Sequence, residues 1–197
     1  MKKWIIILMM AACTAWAIDQ SAALEFVQKT ADDVITNVLT TKDSEEVKSK
    51  KFEETFIQAL DIPYIAKFVL GRYWKTASHT DKTDFIEAFK TMLIRSWSEK
   101  FALYKGQKIE FFDVKPAPNK NQYFVNSKIQ DGANPIDVLW RLLEKDGQYK
   151  IIDVVVEGVH MATSYRNEYT AYLQNHTEAD RPGKADRHRG KSHSSRV

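Results

Sequence analysis

The chain has 197 residues, 44% hydrophobic, 28% charged and 12% aromatic, which fits one folded domain and excludes a wholly disordered chain. Its 29 Lys and Arg against 26 Asp and Glu leave +3, too small and dispersed a surplus to argue for nucleic acid as a partner. The single cysteine, Cys13, excludes an intramolecular disulfide framework and any site built from several thiolates.

Lys2 and Lys3 precede a short apolar run over residues 4–12, and Ala15-Trp16-Ala17 supplies the small-x-small pattern read by a signal peptidase. The run is too short to cross a bilayer, which takes about 20 apolar residues. Residues 1–17 are therefore expected to be a cleavable export signal, with mature protein starting at Ile18. A rival reading makes Met10-Ala11-Ala12-Cys13 a lipoprotein site, acylated on Cys13, behind an unusually short signal. Cleavage before Ile18 leaves no cysteine, so the core alone must stabilise the fold in an oxidising compartment.

Helices come next. Ser21 suits the cap of a helix whose apolar positions Leu24, Val27, Ala31, Val34, Ile35 and Val38 recur every three or four residues. Asp43 with Glu46 suits a capping box for a second helix marked by Val47, Phe52, Phe56 and Leu60. Asp61 with Pro63 opens a third, through Ile65, Phe68 and Val69 to Gly71. Thr80 is expected to start the longest, with Phe85, Phe89, Met92, Leu93, Trp97 and Phe101 along one side, until Gly106 closes it.

The apolar period then switches to two over residues 108–115, 122–130, 136–144 and 148–157. The connectors have turn chemistry, and Asp146-Gly147 suits a tight hairpin. Four strands joined by short turns predict an antiparallel meander, and helices gathered before and after it predict an α+β fold. A last helix over 162–174 presents Tyr165, Tyr169 and either Tyr172 or Leu173 to the rest. From residue 178 onward there is no Leu, Ile, Phe, Tyr, Trp or Met, and six basic residues face three acids. Residues 178–197 are expected to be a disordered basic tail, and residues 18–177 the folded domain. His176, His188 and His193 lie in or beside that tail, where a solvated reading stands against a metal site with no fixed ligand geometry.

No catalytic pattern is present: no G-x-S-x-G, no H-E-x-x-H, no phosphate-binding glycine loop. Asp153 and Glu157 share a strand face at roughly 13 Å, beyond the span of a glycosidase carboxylate pair, and a solvated face explains them. His160 beside Gly158 could act as a base, but no Ser or Asp is placed by sequence to partner it, and it reads as a turn residue. The expectation is a protein that is not an enzyme, with no metal and no cofactor.

The positive signal is apolar surplus. Ile136, Val138, Trp140 and Leu142 share one strand face, and Ile152, Val154 and Val156 share another, while Leu139, Leu143, Tyr149, Ile151 and Val155 lie opposite. Both strands are thus apolar on both sides, where a one-sided sheet would alternate. With Phe68, Tyr73, Trp74, Phe89, Leu93, Trp97 and Phe101 from the helices, two arrangements fit: a dense core, or a cavity that holds an apolar ligand.

The run Asp61-Ile62-Pro63-Tyr64-Ile65-Ala66-Lys67-Phe68-Val69-Leu70-Gly71-Arg72-Tyr73-Trp74-Lys75-Thr76-Ala77 resembles a signature of the MlaC-type, or toluene-tolerance, periplasmic phospholipid-binding proteins. Tyr149-Lys150-Ile151-Ile152-Asp153-Val154-Val155-Val156-Glu157-Gly158-Val159 is similar to the second signature. Tyr104-Lys105-Gly106-Gln107 and the later Tyr165, Arg166 and Tyr169 also match, so the resemblance covers roughly residues 21–175. Two departures stand out: His160 where the family usually has a small Ser, and a basic tail in place of a Gly- and Leu-containing C-terminal helix.

The resemblance implies a curved sheet wrapped by helices, NTF2- or cystatin-like, with an apolar pocket for acyl chains. It implies a periplasmic carrier, expected as a monomer, that moves phospholipid between an outer-membrane lipoprotein complex and an inner-membrane ABC transporter with its membrane-anchored lipid-binding subunit. A hopanoid-associated relative shares the signatures and stands as the alternative ligand class; a secreted hydrolase on a similar fold stands as the alternative activity. The residues expected to line the pocket are Phe68, Tyr73, Trp74, Phe89, Leu93 and Trp97 from the helices. From the strands come Val138, Trp140, Ile152, Val154 and Val156.

Overall fold

The computed structural model describes residues 11–101, 104–130, 132 and 134–179, with side chains for 20–99, 104–130, 132 and 134–176. Most of the expected export signal and the tail from residue 180 lie outside these.

The first helix, α1 (Ala11–Val34), starts well before Ser21. No Gly or Pro occurs before Pro63, so nothing stops the helix at Ser21, which lies inside α1 rather than capping it. Its inward face is Ala23, Val27, Ala31 and Val34. The buried Thr30 hydroxyl donates to the Phe26 carbonyl at 2.8 Å. A π-helical turn, Ile35–Leu39, carries the face on to Val38.

The second helix, α2 (Glu45–Phe52), is capped by Ser44, whose hydroxyl accepts from the Val47 amide at 3.4 Å. The expected cap, Asp43, is drawn instead to Lys51 at 2.6 Å. Val47 points outward, 43% exposed. A second π-helical turn, Glu53–Ile57, follows and leaves Phe52, Phe56 and Ile57 almost wholly buried.

The third helix, α3 (Ile62–Leu70), follows the predicted logic, with the Asp61 carboxylate accepting from the Tyr64 amide at 2.9 Å and Gly71 at its end. Such a cap is worth about 1 kcal/mol. A short helix, α4 (Tyr73–Thr76), precedes α5 (His79–Phe101). The start of α5 is fixed by Ser78 rather than Thr80. The Ser78 hydroxyl accepts from the Asp81 amide at 3.1 Å, and the Asp81 carboxylate accepts from the Ser78 amide at 3.0 Å.

The sheet is a five-stranded antiparallel meander of β1 (Lys108–Pro116), β2 (Gln122–Gln130), β3 (Ile136–Lys145), β4 (Gln148–Val156) and β5 (Val159–His160). The β3–β4 turn takes positive φ at Asp146 (54°) and Gly147 (75°), as a two-residue hairpin requires. The fifth strand was not expected. Its turn uses Glu157 (φ 49°) with Gly158 (φ 77°), and a glutamate is not a usual left-handed residue. It is held there by its neighbour on β3: the Glu157 amide donates to the Asp137 carbonyl at 3.0 Å, and the Asp137 amide donates to the Glu157 carboxylate.

One register shift matters for the site. Arg141 pairs with Asp153 and Leu142 with Ile151, so Ile152 is an extra residue, a bulge. Side-chain alternation resets there. Val154 and Val156 pair with Trp140 and Val138, and Ile151, expected on the opposite face, pairs with Leu142, while Ile152 lies between the pairs. The core fills the space between this face and the helices, centred on Val27, Phe52, Phe56, Val69, Phe89, Val125, Leu142 and Ile151. The last helix, α6 (Met161–Ala179), packs on α3 and β4. Among the described residues, no helix is long and apolar enough to cross a membrane.

Candidate functional site

Along the free edge of β4 the chain closes twice. The Asp61 amide donates to the Ile151 carbonyl at 2.9 Å, and β5 pairs with Val155 and Val156. Between these closures lie Ile152, Asp153 and Val154, and all three line an apolar hollow. Its other walls are Leu60 and Ile65 from the α3 side, Leu93 and Trp97 from α5, and Met161, Ala162 and Tyr165 from α6. Water-sized groups have about 30 Å³ there.

Aromatic rings hold the walls. The Trp97 indole N–H donates to the Tyr165 hydroxyl at 3.2 Å. Phe89 meets Tyr165 edge-on at 5.6 Å, and Phe85 meets Tyr169 edge-on at 5.2 Å. Burial pushes the Tyr169 phenol pKa up, reinforced by the nearby Glu168 charge. Phe56 lies 5.3 Å from Trp97 and 6.4 Å from Trp140. The Trp140 indole donates to Ser127 Oγ at 2.9 Å, and Ser127 donates on to the Val138 carbonyl. Both indole N–H groups in this chain of contacts are thereby satisfied, which an apolar interior demands.

One charged side chain borders the hollow. Asp153, expected on a solvated face, is only 7% exposed. Its Oδ1 accepts from the Ala162 amide at 3.0 Å, and its Oδ2 lies 2.6 Å from His160 Nδ1. The tight β4–β5 turn folds His160 and the start of α6 back over the carboxylate, which covers it and supplies its partners. His160 thus has an acid partner that spacing did not reveal. Ser164, one helical turn on, donates to the His160 backbone carbonyl at 3.0 Å, so this contact does not make a nucleophile of it.

Of the expected lining residues, Leu93, Trp97, Ile152 and Val154 meet at this hollow. Phe89 backs Tyr165. Val138 and Trp140 belong to the contiguous core, and Trp74 and Val156 pack at its margin. Phe68 and Tyr73 are placed elsewhere: Phe68 is 37% exposed beneath the Arg166 guanidinium, and the Tyr73 hydroxyl accepts from Arg72. The residues that spacing missed are Phe52, Phe56 and Tyr165. Phe52 and Phe56 sit four apart on a helix among charged neighbours, a pattern read only as a packing face.

The profile of the MlaC protein family matches residues 28–181. This chain belongs to that family. It is 25% identical over 177 residues to the intermembrane phospholipid transport system binding protein MlaC of Haemophilus influenzae, covering 82% of this chain and 81% of that one. Its fold is similar to that of a phospholipid-binding protein from Ralstonia solanacearum solved in complex with a phospholipid. The TM-score is 0.72 at 18% identity, over 79% of this chain and 89% of the other. The two long MlaC-like signatures border the hollow. The first spans the Asp61 cap, α3 and α4, and the second runs through β4 into β5. Tyr165, at the MlaC offset in α6, completes the wall between them.

Proposed function

We propose that this protein is an exported, periplasmic carrier that withdraws a phospholipid from one membrane and delivers it to another without catalysing a reaction on it. The delivery points are an outer-membrane lipoprotein complex and an inner-membrane ABC transporter with its membrane-anchored lipid-binding subunit. The observation that carries this reading is an apolar hollow walled by both MlaC-like signatures and continuous with an interior of aromatic rings. Each CH₂ withdrawn from water is worth about 0.8 kcal/mol, so a sixteen-carbon chain brings about 12 kcal/mol before costs. That penalty keeps a free lipid from crossing an aqueous space, and such an interior removes it.

Ligand pockets usually measure about 300–1,000 Å³, far more than this hollow offers. Loading therefore requires the aromatic walls to part. Trp97 on the wall of the hollow and Phe56 behind it, 5.3 Å apart, are the rings that must move. The test is organic extraction of protein exported with its own leader, followed by mass spectrometry. Phospholipid in the extract is the expected result; a hopanoid would move the ligand class, and an empty extract would overturn the carrier. The same sample should begin at Ile18, and a diacylglyceryl group on Cys13 would overturn the cleavage site.

A further inference from the structure

The outer side of the wall formed by α3, α4 and α6 carries one sign of charge. Residues 62–80 contain no Asp or Glu, while Lys67, Arg72 and Lys75 are exposed there. The acids at either end are spent on helix starts. Asp61 accepts from the Tyr64 amide at 2.9 Å, and Asp81 accepts from the Ser78 amide and hydroxyl at 3.0 and 2.7 Å. A fourth exposed cation, Arg166, comes from α6. A Cβ on Gly71 would lie 3.1 Å from its Nη2, so the guanidinium sits against the end of α3. Glu168, two residues on, points about 200° round the helix from it.

Among the described residues, none of these four cations has a carboxylate within ion-pair reach. Exposed lysines elsewhere find one: Lys29 meets Asp33 at 2.7 Å and Lys115 meets Asp113 at 2.6 Å. Here the arginines lie on rings instead. Arg72 Cζ is 4.9 Å from the centre of the Tyr73 ring, and Arg166 Cζ is 4.8 Å from that of Phe68. Beside them, Lys82 Nζ is 5.6 Å from the Trp74 ring. A cation on a ring face keeps its full charge while the ring shields one side of it. Tyr64 and Phe68, on the same side of α3 as Lys67, are themselves 40% and 37% exposed.

We propose that this face of α3, α4 and α6 rests on an anionic bilayer surface. The cations meet lipid phosphates, and the exposed rings settle at the level of the headgroups, where amphipathic aromatic side chains collect. The inner side of the same wall gives Ile65 and Tyr165 to the apolar hollow. Contact on the outer side therefore brings the hollow beside the bilayer, which favours a lipid surface over an acidic protein as the occupant. This deepens the carrier reading and rests on it for the purpose of the contact.

The experiment sediments the exported protein with sucrose-loaded vesicles, either of phosphatidylcholine alone or of equal parts phosphatidylcholine and phosphatidylglycerol. Wild type should sediment with the anionic vesicles only, and should be released at about 1 M salt, which screens charges beyond about 3 Å. Lys67→Gln with Lys75→Gln should weaken that binding by about fivefold for each cation removed. Both lysines are exposed, so this variant tests charge without risking the fold. Arg72→Gln with Arg166→Gln should weaken it similarly. The control, Lys108→Gln with Lys120→Gln, removes the same charge at the β1 edge of the sheet and should bind as wild type. Equal losses in the control would overturn the proposal, because the attraction would belong to net charge rather than to this face. Wild type that does not sediment would overturn it too, and an acidic protein would then be the partner that fits these cations. None of the four cations lines the hollow, so every variant should still extract with phospholipid. An empty extract from wild type would overturn the carrier reading instead, whatever the vesicles show.

Discussion

The sheet contains two bulges, and they do opposite things. Between β1 and β2 the register slips at Phe112, which is pushed outward to 59% exposure with Lys128 5.9 Å from its ring. Between β3 and β4 it slips at Ile152, which is only 3% exposed and lines the hollow. The local irregularity is the same. What differs is the cover: β1 is an edge strand, whereas α6 and the segment before α3 fold over β4. A bulge therefore decides only where a side chain is aimed, and the surrounding elements decide whether that place is solvent or pocket.

The sharpest way to break this contrast is to charge the covered side. Val154 is 4% exposed beside the Ile152 bulge. Val154→Glu places a carboxylate without partners in the apolar interior, at a cost of about 4 kcal/mol or more. Circular dichroism and lipid extraction are read together. A folded, lipid-free variant is the expected result, and a folded variant that still carries phospholipid would remove Val154 from the pocket. Next come the bulge residues themselves. Ile152→Ala should cost about 2–4 kcal/mol, but Phe112→Ala only about 0.5 kcal/mol, by urea midpoints at constant slope. Equal losses would show that the bulges are equivalent after all.

Much of this architecture was legible. Strands with period-two spacing and a turn such as Asp146-Gly147 announce themselves, and Asp61 with Pro63 marks the start of α3 as clearly. Features that depend on three-dimensional return were not. The Asp153–His160 contact requires a reversal at Glu157-Gly158, and no period can be read from a two-residue strand. The Ile152 bulge shifts the register of β4 without changing composition. The π-helical turns preserve the four-residue spacing of Phe52 and Phe56, so the sequence pattern is the same with or without them. Phe68 belongs to the signature but not to the hollow, because α3 turns Ile62, Ile65, Ala66 and Val69 inward and leaves Phe68 on its flank.

A smaller effect is expected where the covered edge is polar. Asp153→Ala strands the buried Ala162 amide and removes the partner of His160, for a loss of about 2–3 kcal/mol. Asp153→Asn keeps an acceptor for the amide and should lose about 1 kcal/mol. Chemical denaturation of both variants ranks them. If alanine and asparagine behave alike, the hydrogen bond to the start of α6 contributes nothing.

The smallest effect belongs to the exposed side of the molecule, at the start of α5. The Ser78 hydroxyl and backbone amide both hydrogen-bond the Asp81 carboxylate, and they hold its pKa below the ordinary carboxylate range. A carboxyl with a lowered folded-state pKa adds stability that is fully present above its unfolded pKa and disappears as pH falls through the folded one. Asp81→Asn should therefore melt slightly below wild type at neutral pH. Because the site is solvated, the gap is a modest one. As the pH falls below the ordinary carboxylate range, wild type protonates Asp81 and loses the charge-assisted bonds, and the two melting curves should converge. A gap that persists unchanged into strong acid would mean that the carboxylate charge plays no part in this cap.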